Sequence, residues 1–399
     1  MSKDDCRQIF KSGIGDSLGI GSQNISLFWK GRVALYAILK AIGIKEGDEI
    51  ILPAFTCVVA VNPIIYLGAR PVYVDIDPKT YNIDVKTLER LNVETLRKAK
   101  AILAQNTFGL SSDLDAIFEI AKKYDLFVIE DCAHGFGGFY KGMPNGTIAD
   151  ASFFSTQWNK PFSTGLGGIA VTRNPEIAER LRGMEETFIK PSIKDEMVLK
   201  TLFFVRDRLG TKLYWPMIKT YRWLSKNNLI LGSSQGEELK RPVKPEGFEK
   251  GFSRVQAKKG RKELGRFDEI LEHRKKVTTF YKKILLDMGI EPPYEPDYAV
   301  HTYLKFPLLV KDRMGFFKLA EKEKIELGDW FLSPIHPITK NFELWHYRWG
   351  ENPVAEKISQ HIVNLPTHLQ IDEDYREKIA KFLKRNRRNI YSSFVNVRT

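Results

Sequence analysis

The stretch LFVIEDCAHGFGGFYKGMPNGTIADASFFSTQWNKPFSTGLGGIAVT, residues 126–172, contains three short apolar runs, each next to a loop rich in polar groups or glycine. Residues 126–130 deliver Asp131, with His134 three positions later. Residues 151–155 end in the Ser155 hydroxyl and lead to Lys160, which precedes Pro161 and a glycine cluster at Gly165, Gly167 and Gly168. The third run is 168–172. Short runs of β-branched and aromatic residues bounded by Gly, Pro and Asn are the pattern of buried strands. An open α/β sheet gathers its ligand at the carboxyl ends of its strands. Asp131, His134, Ser155 and Lys160 are therefore expected around one site.

Toward the N-terminus the pattern continues. Strands are expected at 49–52, 71–76 and 101–105, and helices at 32–41, 57–66, 85–91 and 114–123. This alternation predicts βαβ units and an α/β fold with a mostly parallel central sheet. Beyond residue 172 the alternation stops: 174–250 is basic and aromatic, and GSSQGEELKRPVKPEG (232–247) reads as a loop. A long helical pattern spans 254–286, followed by a smaller α+β unit with a strand at 303–310 and helices at 314–324 and 373–383. The expected division is a large domain over 1–250, with an insertion at about 190–245, and a small C-terminal domain over 251–399.

Pyridoxal 5′-phosphate fits these parts. It requires a lysine for the Schiff base, a carboxylate that keeps its ring nitrogen protonated, and a cradle for one phosphate. Lys160, held extended by the proline after it, supplies the amine, and Asp131 supplies the carboxylate. The cradle is expected from Ser155 and from the free N–H groups of a helix opening at Gly31, Arg32 and Val33, where the dipole favours an anion. Arg32 adds charge there.

The motifs ED-x-A-H at 130–134, Gly146 with Asp150, and F-S-x-x-x-x-K at 154–160 stand in order, followed by K-x-x-x-T-G-x-G-G at 160–168. With GDEIILPAFT (47–56), GARPVYVDIDP (68–78), NTFG (106–109), DLDA (113–116) and NLPTH (364–368), the chain resembles the DegT/StrS (DegT/DnrJ) sugar aminotransferases of fold type I. The resemblance covers about 28–383 except 190–245. It implies a three-layer fold with Lys160 as the Schiff-base lysine and Asp131 at the pyridine nitrogen. His134 falls near the phenolic oxygen, Ser155 at the phosphate, and Gly31 and Arg32 at a Gly-Thr phosphate turn. It also implies a homodimer with a shared active site, and amination of a keto group on a nucleotide-linked sugar with glutamate as donor. In the family's sugar dehydratases histidine replaces the lysine, so Lys160 argues against dehydration.

Three positions depart from that pattern. Arg32 stands for the usual Thr, so either backbone N–H groups or the guanidinium must replace its hydroxyl contact. Cys57 stands where relatives carry an aromatic that stacks on the ring. In the loop that relatives offer to the partner subunit, often with an Asn near an Arg, this chain has Glu249, Ser253 and Arg254 instead.

Taken singly, these residues have bland readings: a solvated lysine, Asp131 as a cap, Ser155 as a structural hydroxyl, and Cys57 and Cys132 as small buried hydrophobes. His336 and His368 are weaker candidates for ligand contact. G13-I-G15-D-S-L-G19 misses the dinucleotide spacing and no strand precedes it, and no paired Cys or His stands at zinc-ligand spacing. No metal is expected.

Composition narrows the class. With 43% hydrophobic and 28% charged residues, the chain is ordinary for a globular protein, and no apolar run approaches the roughly 20 residues that span a bilayer. The opening MSKDDCRQIF lacks the apolar region of a secretory signal, and three widely spaced cysteines fit no disulfide framework, so a cytoplasmic protein is expected. The net charge of +13 is localised: 197–226 and 381–399 each carry +6, leaving the rest near neutral. Nucleic acid is not expected. For 197–226, apolar residues at 198, 202, 205 and 209, then 213, 217, 221 and 224, predict two amphipathic helices interrupted near Pro216. They pack on the protein or touch an anionic membrane surface. The rival readings of the whole chain are a silent scaffold of the same fold and a membrane-surface protein.

Overall fold

The computed structural model describes residues 3–209 and 236–393. Seven strands form the main sheet in the order Ile25–Phe28, Gly168–Thr172, Ala151–Ser155, Phe127–Asp131, Ala99–Gln105, Glu49–Pro53, Arg70–Val74. Gly168–Thr172 pairs antiparallel with both its neighbours, and every other pairing is parallel. The sheet is covered on both faces, which is why its strands are apolar along their whole length. Ile50, Leu52, Ala101, Leu103 and Ile129 face the helices Gly31–Ala41 and Val58–Tyr66. The alternate residues Ile51, Ile102, Ala104 and Val128 face Leu114, Ile117 and Ile120 of helix Leu114–Tyr124.

A second core lies among helix Phe267–Asp287, the antiparallel pair Phe306–Leu309 and Ile362–Leu365, and helices Arg313–Lys322 and Glu373–Arg385. Tyr281, Phe306, Phe316 and Phe382 are its large buried side chains.

Several expectations need correction. The helical pattern at 254–286 is two helices, Arg254–Leu264 and Phe267–Asp287: Gly265 caps the first, and Arg266, at φ −123° and ψ 15°, leaves helical geometry. The strand expected at 303–310 is shortened to Phe306–Leu309, because Tyr303 sits at φ 47°. Ordered helices occupy part of 174–250: Pro175–Thr187, capped by the Asn174 side chain, and Ile193–Leu209. On the latter, Leu199 and Phe203 are buried while Met197, Phe204 and Val205 are exposed, so the inward face is rotated from the one the spacing predicts. Residues 210–226, with the expected second helix, lie outside the described residues. Gly13 and Gly15 lie inside helix Lys3–Leu18, which buries Cys6, Phe10 and Ile14. Among the described residues no helix is long and apolar enough to cross a membrane, and no cluster of His, Cys, Asp or Glu fits a metal ion.

Candidate active site

Strand Phe127–Asp131 lies between Ala99–Gln105 and Ala151–Ser155, so its last residue emerges at the middle of the sheet's carboxyl edge. There Asp131 Oδ1 accepts the Ala133 N–H at 2.9 Å. Burial pushes its carboxyl up to about 6, against the pull of Ala133 and of Lys160. Strand Ala151–Ser155 ends beside it and carries the chain to Lys160. That loop is fastened from behind: Arg274 Nη2 donates to the Pro161 carbonyl at 2.9 Å, and the Thr156 and Thr164 hydroxyls pair at 2.6 Å. Gly167, at φ 156°, is required there, because a Cβ would lie 2.1 Å from Thr156 Oγ1.

Lys160 is partly buried, with its Nζ 4.5 Å from the centroid of the Trp330 ring. Burial lowers its ammonium to about 8, the Cys57 thiol and Asp131 oppose this, and Lys305 adds to it. The lysine is thus partly neutral near physiological pH, as a nucleophile or proton carrier must be.

His134 packs in a ring stack, 4.8 Å from Trp330 and 6.0 Å from Phe331. Its Nδ1 accepts the Phe108 N–H at 3.2 Å, which places the proton on Nε2 and leaves that atom a donor. Burial, with Lys160, Lys305 and His336 nearby, holds this imidazole neutral. His336 resembles it: Nδ1 accepts the Leu332 N–H at 3.3 Å, and burial lowers the ring to about 4.

The anion cradle is built by close approach. A Cβ on Gly31 would lie 2.8 Å from the Ser155 Cβ, so glycine alone lets the helix start meet the strand end. No side chain caps this helix, and Val33 N–H already donates to the Lys30 carbonyl at 3.0 Å. The Val33 side chain is buried in the core. The Gly31 and Arg32 amides, which have no intrahelical acceptor, and the Ser155 hydroxyl remain for an anion. Arg32 itself is buried and donates to Glu238. Cys57 lies between these groups; burial raises its thiol, and Lys160 and Arg32 partly offset that.

Seven of the eight expected site residues thus surround one edge of the sheet, and Val33 is set back from it. His336 joins them, in register with Cys57 on a short parallel pairing. His368 does not: its Nε2 pairs with Glu326 at 2.9 Å. Glu249 pairs with Lys244 and accepts from Tyr36, and Ser253 closes a capping box with Gln256, so both serve local structure in their own chain. Trp330, Lys305 and Glu238 escape the sequence reading. Trp330 and Glu238 come from irregular segments, where no periodicity marks them, and Lys305 lies in the strand expected at 303–310, one residue before the strand that forms.

Comparison with known proteins shows the family and the fold. Residues 21–384 match the DegT/DnrJ/EryC1/StrS aminotransferase family, and the chain belongs to that family. GDP-perosamine synthase of Escherichia coli O157:H7 is 28% identical over 342 residues, 84% of this chain and 78% of that protein. The dTDP-3-amino-3,6-dideoxy-alpha-D-galactopyranose transaminase of Aneurinibacillus thermoaerophilus is 28% identical over 388 residues, 96% of this chain and 89% of that protein. Among solved structures, the sugar aminotransferase CalS13 of Micromonospora echinospora superposes with TM-score 0.70 at 21% identity, covering 95% of this chain and 91% of that one. This last likeness shows the fold.

Proposed function

We propose that this chain is a pyridoxal 5′-phosphate-dependent aminotransferase that converts a keto group of a nucleotide-linked sugar to an amine, with glutamate as amino donor. The observation that carries the reading is the convergence of Lys160, lowered by burial to about 8, with the Asp131 carboxyl at one sheet edge beside the Gly31–Ser155 cradle. That set fits the cofactor: an amine to hold it, a carboxylate for its ring nitrogen, a neutral imidazole donor for its oxygen, and helix-start amides held against the Ser155 hydroxyl for its phosphate. The nucleotide-sugar names of the GDP-perosamine synthase and the dTDP-sugar transaminase support the substrate class.

Bound there, the cofactor supplies the electron sink. Asp131 would hold the proton on the ring nitrogen, and His134 Nε2 would be the donor available to the ring oxygen. The Lys160 Nζ would first hold the cofactor and, once freed, would carry the proton between the substrate carbon and the cofactor's C4′. Trp330, Phe331 and Phe108 line the aromatic wall that keeps water from these groups. A homodimer with a shared site, a cytoplasmic setting, and the division into domains 1–250 and 251–399 belong to the same reading; the second core supports the last, while Phe331, Ile335 and Ile358 pack with the main sheet.

The test is to incubate the protein with glutamate and a panel of GDP-, dTDP- and UDP-linked keto-sugars and follow products by mass. One amino-sugar should dominate, and no amination of any of them would end the reading. Contact with an anionic membrane surface through 197–226 is a separate proposal, favoured by the exposed Met197 and Phe204. Co-sedimentation with anionic vesicles that weakens with salt is its expected result, and indifference to salt ends it.

A further inference from the structure

The start of helix Gly31–Ala41 holds more charge than the reaction above uses. Arg32 Nη1 lies 2.5 Å from Glu238 Oε2, and the two side chains are 3% and 7% exposed. Glu238 comes from a short turn, Gly236–Leu239, about 200 positions away in the chain. Two further residues fasten it: Tyr66 donates its hydroxyl proton to Oε1 at 3.1 Å, and Asn62 Nδ2 donates to its carbonyl at 3.2 Å. Lys30, one residue before the helix, is a third charge in the cluster. Burial lowers its ammonium to about 7, Arg32 lowers it further, and Glu238 opposes. Lys250 nearby is already paired with Asp195.

A helix N-terminus and a guanidinium together favour an external anion. Here a buried carboxylate of the same chain already holds the guanidinium. A phosphate monoester, carrying close to two negative charges at neutral pH, must approach that carboxylate to reach Arg32. We propose that Glu238 is an internal counter-anion of the cradle, and that the phosphate of an incoming ligand competes with it for Arg32. This rests on the cofactor reading for the identity of the phosphate ligand. Glu238 is a positioning residue: it sets where the guanidinium points and how much an added anion gains from it.

The full chain, its Glu238→Gln variant and its Tyr66→Phe variant are titrated with pyridoxal 5′-phosphate, with pyridoxal, and with inorganic phosphate followed by calorimetry. Removing one negative charge several ångströms from a phosphate in a partly dry site should tighten its binding by roughly ten- to thirtyfold. Glu238→Gln is therefore expected to bind pyridoxal 5′-phosphate and phosphate that much more tightly and pyridoxal unchanged. Tyr66→Phe, which loosens the carboxylate, should shift both in the same direction by less. Weaker or unchanged phosphate binding in Glu238→Gln overturns the proposal, as does an equal shift for pyridoxal. Should that variant not fold, the direction of the Tyr66→Phe shift decides. If the unaltered protein gives no near-visible band with pyridoxal 5′-phosphate, the cofactor reading fails, while the inorganic phosphate arm still decides the role of Glu238.

Discussion

Asp131 shows how a site residue works against the fold that holds it. Its carboxyl is buried, and its ionisation is raised from 3.8 to about 6. The folded protein therefore binds this proton more tightly than the unfolded chain does. In the cofactor-free protein, the stability it contributes is present below pH 3.8 and is lost as pH rises through about 6. Asp131→Asn should leave stability unchanged near pH 3.5 and raise it at pH 7 by up to about 3 kcal/mol, while abolishing transamination. Urea unfolding at the two pH values checks this, and an equal gap at both would contradict it. Lys160 has the opposite sense. Its ammonium is lowered to about 8, so stability rises with pH between about 8 and 10.5. The Trp330 ring 4.5 Å from Nζ helps keep water away. In Trp330→Ala, the midpoint of the pH dependence of Lys160 acylation should move up toward the ordinary lysine value. A midpoint that stays near 8 would remove Trp330 from that role.

Among the elements, the helix that opens at Gly31 depends most closely on one residue. Gly31→Ala places a Cβ 2.8 Å from the Ser155 Cβ and 3.3 Å from its Cα, so strand or helix must shift. The expected cost is about 1–3 kcal/mol of stability, with a fall in affinity for pyridoxal 5′-phosphate larger than for pyridoxal, read by parallel titrations. Ser253→Ala is the contrast. It breaks the capping box of helix Arg254–Leu264 and should cost about 1 kcal/mol in thermal or urea unfolding without changing cofactor affinity. The elements also show what the sequence makes legible. Six of the seven strands read clearly because both faces of the sheet are covered, so each is an apolar run between polar or glycine-rich ends; the edge strand Ile25–Phe28, four residues long with Ser26 in its middle, is not among them. Asp131, Ser155 and Lys160 are legible because such ends are where an α/β sheet places its ligand. Helix Lys3–Leu18 is not, because Gly13, Gly15 and Gly19 mask its buried face of Cys6, Phe10 and Ile14. Nor are Trp330 and Glu238, whose positions depend on tertiary packing of loops far along the chain.

Over the whole molecule, the active edge is assembled from segments far apart in the chain. The parallel sheet supplies Asp131, Ser155 and Lys160, and the segment before helix Pro353–His361 brings Trp330 and His336 against them. The net +13 of the sequence belongs mainly to 197–226 and 381–399, and none of the site residues named above falls in either segment. The measurement that tests the account most directly is a spectral titration of the full chain with pyridoxal 5′-phosphate, followed by glutamate. The unaltered protein should develop a near-visible band that borohydride removes, and glutamate should convert it to the pyridoxamine form; Lys160→Ala should show neither the borohydride-fixed adduct nor the conversion. A protein that gives no such band with saturating cofactor, or a Lys160→Ala variant that behaves like the unaltered one, would contradict it.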